Sequence, residues 1–151
     1  MTHAYETVGA AIKARLEQCT ILQGAETNLG AKVYRGRRNI TDDQMPCAVL
    51  VEGEADAGDR RGGRAVQYAI KANYALHAYV PCDPDDPNVA AHAALRDMKR
   101  RVLADSTLTG LAQARDVEFK STDIAPRVDG AAFVLAVLTI AVTLYEDMAT
   151  P

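Results

Sequence analysis

The densest run of potential metal ligands is Asp83-Pro84-Asp85-Asp86-Pro87-Asn88. A calcium loop needs oxygen ligands at alternate positions, a central glycine for the turn and a closing bidentate glutamate. Pro87 occupies a ligand position here, and neither the glycine nor the glutamate falls in place. The run is therefore expected to be a strand-to-helix turn, with Asp86 as N-cap and Pro87 as the first helical residue. Pro84-Asp85 and Glu118-Phe119-Lys120 also match the Pro-Asp then Glu-x-Lys pattern of metal nucleases. That chemistry needs two carboxylates on Mg²⁺ and a lysine beside the attacking water, on neighbouring strands. A whole helical segment separates the two halves. Glu118 and Lys120 alternate with Val117 and Phe119 as a solvated strand face does, so the match reads as chance.

The remaining nucleophiles and bases show no local arrangement for catalysis. His3 is terminal, His77 lies on the polar side of a strand and His92 lies on a helix. No Gly-x-Ser-x-Gly elbow marks a serine. The three cysteines, Cys19, Cys47 and Cys82, are odd in number and widely spaced. That excludes a disulfide framework and a Cys-x-x-Cys site, and suits free thiols in a reducing cytoplasm. No catalytic, cofactor-binding or metal-binding residue is expected, and no cofactor. The candidate interface residues are arginines: Arg60, Arg61 and Arg64 in the glycine-rich run 58–64, together with Arg35, Arg37 and Arg38. The run has neither Walker nor Rossmann spacing. Such a patch can be solvated loop charge, or it can grip acidic groups of a protein or a phosphate backbone.

These features must be carried by a chain of 151 residues with formal charge -3, 48% hydrophobic and 25% charged residues. That composition is globular, fits one domain over 1–151, and carries too little net charge to demand a nucleic-acid or membrane partner. The first residues lack the basic and apolar regions of a secretory leader. The most apolar stretch, 131–144, falls short of the roughly 20 residues that span a bilayer, and no membrane partner is expected.

Tyr5, Val8, Ile12, Leu16 and Cys19 recur at helical spacing and predict an amphipathic helix over 4–19. Short strands are expected at 31–36 and 46–53, and polar loops at 24–30 and 54–63. From Val66 to Val80 apolar and polar residues alternate. This is a strand of about 15 residues, roughly 50 Å long, against a typical 5–6 residues. Such length implies a projecting arm or a bend. A helix follows to about Leu103, with Ala91, Leu95, Met98 and Val102 on one face. A half-exposed strand carrying Val117 and Phe119 and a last strand over 132–145 complete the order αβββαββ, with 146–151 as a frayed tail. The fold class is α+β, a mainly antiparallel five-stranded sheet with two helices packed on one face.

The last strand is apolar on both sides: Val134, Leu138, Ile140, Val142 and Leu144, with Phe133, Leu135 and Val137 between them. Two helices cover one sheet face. The other needs a loop, a fold of the sheet on itself, or another subunit. A homo-oligomer is the expected solution.

The ordered pattern resembles the tail-terminator or tail-completion (minor tail protein U-like) family of tailed phages. The likeness runs through Ile12-Lys13-Ala14-Arg15-Leu16, Lys32-Val33-Tyr34-Arg35-Gly36-Arg37 and Met45-Pro46-Cys47-Ala48-Val49-Leu50-Val51. It continues through the long strand ending at Pro84-Asp85-Asp86-Pro87 and a helix leading to 103–111. The resemblance implies a non-enzymatic virion subunit that forms a six-membered ring, caps the tail tube and presents the head-joining surface. It implies itself, the tail tube protein and a head-completion or connector protein as partners, with non-specific contact to DNA passing through the ring. It places the chain at the head-proximal end of the virion tail, and in the host cytoplasm during assembly. The alternatives are a head-completion or connector adaptor and, more remotely, the metal nuclease.

Overall fold

The computed structural model describes residues 4–36, 39–61, 67–104 and 114–147. Helix α1 spans Ala4–Leu16 and α2 spans Pro87–Val102. The strands are β1 (Val33–Arg35), β2 (Cys47–Arg61), β3 (Gln67–Pro81), β4 (Ala114–Ile124) and β5 (Phe133–Asp147). They form one sheet in the order β1-β2-β3-β5-β4.

The α+β class agrees with the sequence reading, with two corrections. The sheet is mixed, because β1 pairs with β2 in parallel while every other pairing is antiparallel. The connection over 36–46 makes this possible, since a parallel pair needs a crossover of about a dozen residues where a hairpin needs two. The chain order also departs from αβββαββ. Three 3-10 turns intervene, at Ile21–Gln23, Leu29–Ala31 and Asp42–Gln44.

Helix α1 ends at Leu16, one turn earlier than the periodicity predicts. Cys19 is nevertheless fully buried, because the chain tightens there. The amides of Gln18 and Cys19 donate to the carbonyls of Arg15 and Leu16. Gly30 packs on this ending. Its amide donates to the Cys19 carbonyl, and a Cβ at Gly30 would lie 2.5 Å from the Glu17 carbonyl oxygen. Only glycine lets the two backbones approach this closely.

The expected loop over 54–63 is strand as far as Arg61. Strand β2 pairs with β3 along its length, through register shifts between Glu52 and Ala55 and between Ala57 and Arg60. Each is a β-bulge, where extra residues break the alternation that a sequence reading looks for. At the first bulge the Asn73 side-chain amide donates to the Glu54 carbonyl at 3.0 Å. Strand β3 pairs with β5 without interruption from Gln67↔Asp147 to Pro81↔Phe133. The three strands run together to their far ends, with β4 joining β5 as far as Leu144, and Glu146 and Asp147 belong to β5 and not to a frayed tail.

Both helices lie on one sheet face. Val8, Ile12 and Leu16 of α1 and Ala91, Ala94, Leu95, Met98 and Val102 of α2 share a core with Leu50, Leu76, Leu138, Ile140 and Leu144. In β4 another register shift, between Phe119 and Ser121, adds one residue against β5. It inverts the parity of the strand. Val117 and Phe119 stand opposite Val142 and Ile140, whereas beyond the bulge Thr122 and Ile124 stand opposite Leu138 and Ala136. All four therefore face the helices. Phe119 is 47% exposed, since β4 is the outermost strand and α2 only partly covers it.

One core side chain leaves a polar atom without a partner. The Tyr74 hydroxyl is buried without a hydrogen bond among the described residues. Replacing it by Phe removes an unsatisfied group without changing the packed ring. Tyr74→Phe is expected to stabilise the fold by about 1 kcal/mol, read as a higher urea midpoint. A loss of stability would show that the hydroxyl is bonded in solution.

Candidate functional site

The open face of the sheet is the feature that the elements position most consistently. The register aligns Tyr34, Val49, His77, Val137 and Asp123 in one row across all five strands. The next row of that face holds Cys47, Tyr79 and Leu135, and the one on the other side holds Val51, Ala75, Thr139 and Ser121. Val49, flanked by Tyr34 and His77, is nearly closed off. Leu135, Val137, Thr139, Thr143 and Tyr145 of β5 are only half-buried, and neither helix reaches them. The rings of His77 and Tyr79 lie 6.4 Å apart. His77 shares its strand face with Lys71 and Asn73, as the alternation predicts, and at its level that face is an aromatic and aliphatic patch. Towards the start of β3 the same face turns polar. Lys71 donates to Glu118 at 3.0 Å, and Lys120 stands 3.9 Å from that carboxylate. The hydrogen bond from Lys71, then the charge of Lys120, hold Glu118 below the usual carboxylate range.

This geometry separates the two halves of the nuclease pattern. Asp85 sits in the turn beyond Pro81, which pairs with Phe133, whereas Glu118 pairs with Ala141. Eight residues of β5 separate the two levels, or about 26 Å at 3.3 Å per residue. The acidic run is a turn, as expected. The Asp83 carboxylate accepts the Asp85 amide at 3.0 Å, and the Asp83 carbonyl accepts the Asp86 amide. Asp86 occupies the N-cap position and Pro87 opens α2, but the Asp86 side chain makes no capping hydrogen bond. Among the described residues no group of three or more His, Cys, Asp or Glu side chains could hold a metal ion. No helix among them is long and apolar enough to cross a membrane.

The six arginines are placed differently from one another. Arg35 bridges Glu6 of α1, at 2.5 Å, and Glu52 of β2, and these partners hold its guanidinium above its ordinary pKa. It ties α1 to the sheet edge, and Gly9 leaves the space it fills. Arg60 and Arg61 lie at the end of β2. Their side chains, and all of Arg37, Arg38 and Arg64, lie outside the described residues.

The sequence reading missed Asp97. It is a charged side chain that is 2% exposed. It accepts the amides of Glu26 at 3.0 Å and Thr27 at 2.8 Å, and the Thr27 hydroxyl at 2.5 Å. It therefore pins the loop after α1 onto α2. Nearby, burial pushes the Cys19 thiol up to about 12 from near 9, with Asp97 adding and Arg101 opposing. The folded state thus holds that proton more tightly than the unfolded chain. The stability this contributes is complete below about pH 9 and is lost as pH rises towards about 12. Burial likewise raises Tyr74. The urea midpoint is expected to fall between about pH 9 and about pH 12, and to fall less in Cys19→Ala. Equal slopes in the two proteins would contradict the assignment.

No protein-family model matches the sequence, and no curated protein matches it. The fold is similar to that of a chain in a solved structure of the virion of a native gene transfer agent (GTA) particle. The TM-score is 0.60 at 13% identity, over 91% of this chain and 94% of that one. At that identity the likeness establishes a shared fold.

Proposed function

We propose that the chain is a structural virion subunit of a tailed phage or phage-like particle. It assembles into a ring that caps the tail tube and provides the head-joining surface. The carrying observation is the open sheet face, apolar at its centre and left uncovered by both helices. Its burial by a neighbouring copy is favourable at about 25 cal/mol per Å². The near full-length fold likeness to a chain of a virion particle supports the same reading, as does the resemblance to tail-terminator proteins. A head-to-tail contact that closes after a fixed number of copies, six in that family, satisfies every subunit and stops growth. Such a subunit needs no catalytic residue. Its partners are further copies of itself, the tail tube protein and a head-completion or connector protein, with DNA passing through the ring.

Negative-stain electron microscopy of concentrated protein tests this. Rings of uniform diameter are expected, and particles of single-copy size alone would contradict it. Arg60, Arg61 and Arg64 are assigned to the contact with a neighbour or partner. Joint replacement of Arg60, Arg61 and Arg64 by Ala is expected to weaken assembly about tenfold while leaving the circular dichroism spectrum unchanged. Unchanged assembly and tube binding would remove that assignment.

A further inference from the structure

A groove of about 570 Å³ runs between α2 and the end of β4. Leu95 and Ile124 supply apolar lining, and His92, Arg96, Lys99 and Arg100 supply the polar wall, while Asp123 on β4 turns its side chain to the opposite sheet face. The groove is therefore basic in a chain whose net charge is -3. Its cations are only lightly committed. Arg96 is 3.7 Å from Glu26 with its side chain 59% exposed. Lys99 lies 5.2 Å above the Phe119 ring. Among the described residues Arg100 makes no ion pair. Beside the groove, β4 is the last strand of the sheet, and no described strand pairs with its outer edge. Its bulge turns Thr122 and Ile124 toward α2.

We infer that this groove receives an extended acidic peptide segment of a partner protein, added as a strand on the free edge of β4. An incoming strand would pair its backbone with β4 and turn every second side chain toward α2, apolar ones over Leu95 and Ile124 and acidic ones beside them. Its carboxylates would meet Arg96, Lys99 and Arg100, where guanidinium pairing with carboxylate is strong and directional. Nucleic acid fits less well. The apolar lining of Leu95 and Ile124 has little to offer a phosphate backbone. The groove is complete within one copy, so the inference stands apart from ring formation.

The probe is a labelled, end-blocked peptide of nine residues with threonine at the even positions and glutamate or valine in turn at the odd ones, so that both types face α2, followed by fluorescence anisotropy. Saturable binding that weakens with added salt is expected. The same peptide with lysine for glutamate should bind about tenfold more weakly or worse. So should a version N-methylated at alternate residues, which cannot donate to a strand edge. The Arg96→Glu, Arg100→Glu protein, of unchanged circular dichroism spectrum, should lose about tenfold or more in affinity. Equal binding of the acidic and basic peptides, or undiminished binding by the variant, would overturn the inference. Equal binding of the N-methylated peptide would overturn strand addition. A single-stranded oligonucleotide of matching charge that binds the groove as tightly as the peptide would overturn the choice of partner.

Discussion

Val137→Asp is expected to yield a folded protein that no longer assembles. Val137 lies near the middle of the open face, opposite His77 on one side and Asp123 on the other. It is half-buried in the single copy, so a carboxylate there can still reach water. The cost to folding is expected to be about 1 kcal/mol. In the assembled state the same carboxylate would be buried in an apolar contact beside Asp123. An unpaired charge in that setting costs several kcal/mol, so association should weaken by about a hundredfold or more. Sedimentation velocity and urea unfolding of the same preparation separate the two effects. Retained assembly would mean that the open face is not the contact. Lys120→Ala, at the solvated end of that face, is the control that should assemble normally.

The largest expected loss of stability is in Asp97→Ala. The carboxylate accepts three hydrogen bonds from Glu26 and Thr27, and hydrogen bonds to charged groups contribute more than neutral ones. Removing it leaves two loop amides and a hydroxyl facing a hole. A destabilisation of about 3 kcal/mol is expected, read from urea unfolding. Asp97→Asn keeps an acceptor and should cost less, because one oxygen can still take one of the amides. Equal losses in the two variants would show that packing, and not hydrogen bonding, holds the loop. Because this loop lies on the helix side of the sheet, the account expects assembly of Asp97→Asn to be unchanged.

These two residues mark how far the sequence was legible. Val137 was readable because β5 is apolar on both sides, and strands alternate by geometry. Helix α2 and strand β3 were readable for the same kind of reason. Each follows one period without interruption, and Pro87 and Pro81 mark their ends. The second half of β2 was not readable, because Glu54 to Arg61 contains two bulges and a glycine. Its strand character comes from pairing with β3. Phe119 misled in the opposite sense. Alternation pairs it with Val117 correctly, but an edge strand under a partial helix cover leaves it half in water. Asp97 carried almost no signal. Its partners lie about 70 residues earlier, and a charged residue near the end of a helix ordinarily reads as solvated. Its one trace is its place three residues after Ala94, at the margin of the buried stripe.

The groove beside β4 was also beyond a sequence reading. Arg96, Lys99 and Arg100 appear as helix-end charge suited to the macrodipole. Only the bulge at Phe119 to Ser121 turns Ile124 toward them. Arg60, Arg61 and Arg64 were legible as a cluster in the sequence, yet a cluster does not say what it faces. Arg35 illustrates the point, since within the fold its charge is taken up by Glu6 and Glu52.

The most direct test is the native mass of the purified chain from about 1 to 500 μM, measured by light scattering. A closed assembly is expected, about 97 kDa for six copies of the 16.2 kDa chain, which persists on dilution and disappears in Val137→Asp. A mass of 16.2 kDa at every concentration would mean that one copy suffices to keep both sides of β5 in water-stable form.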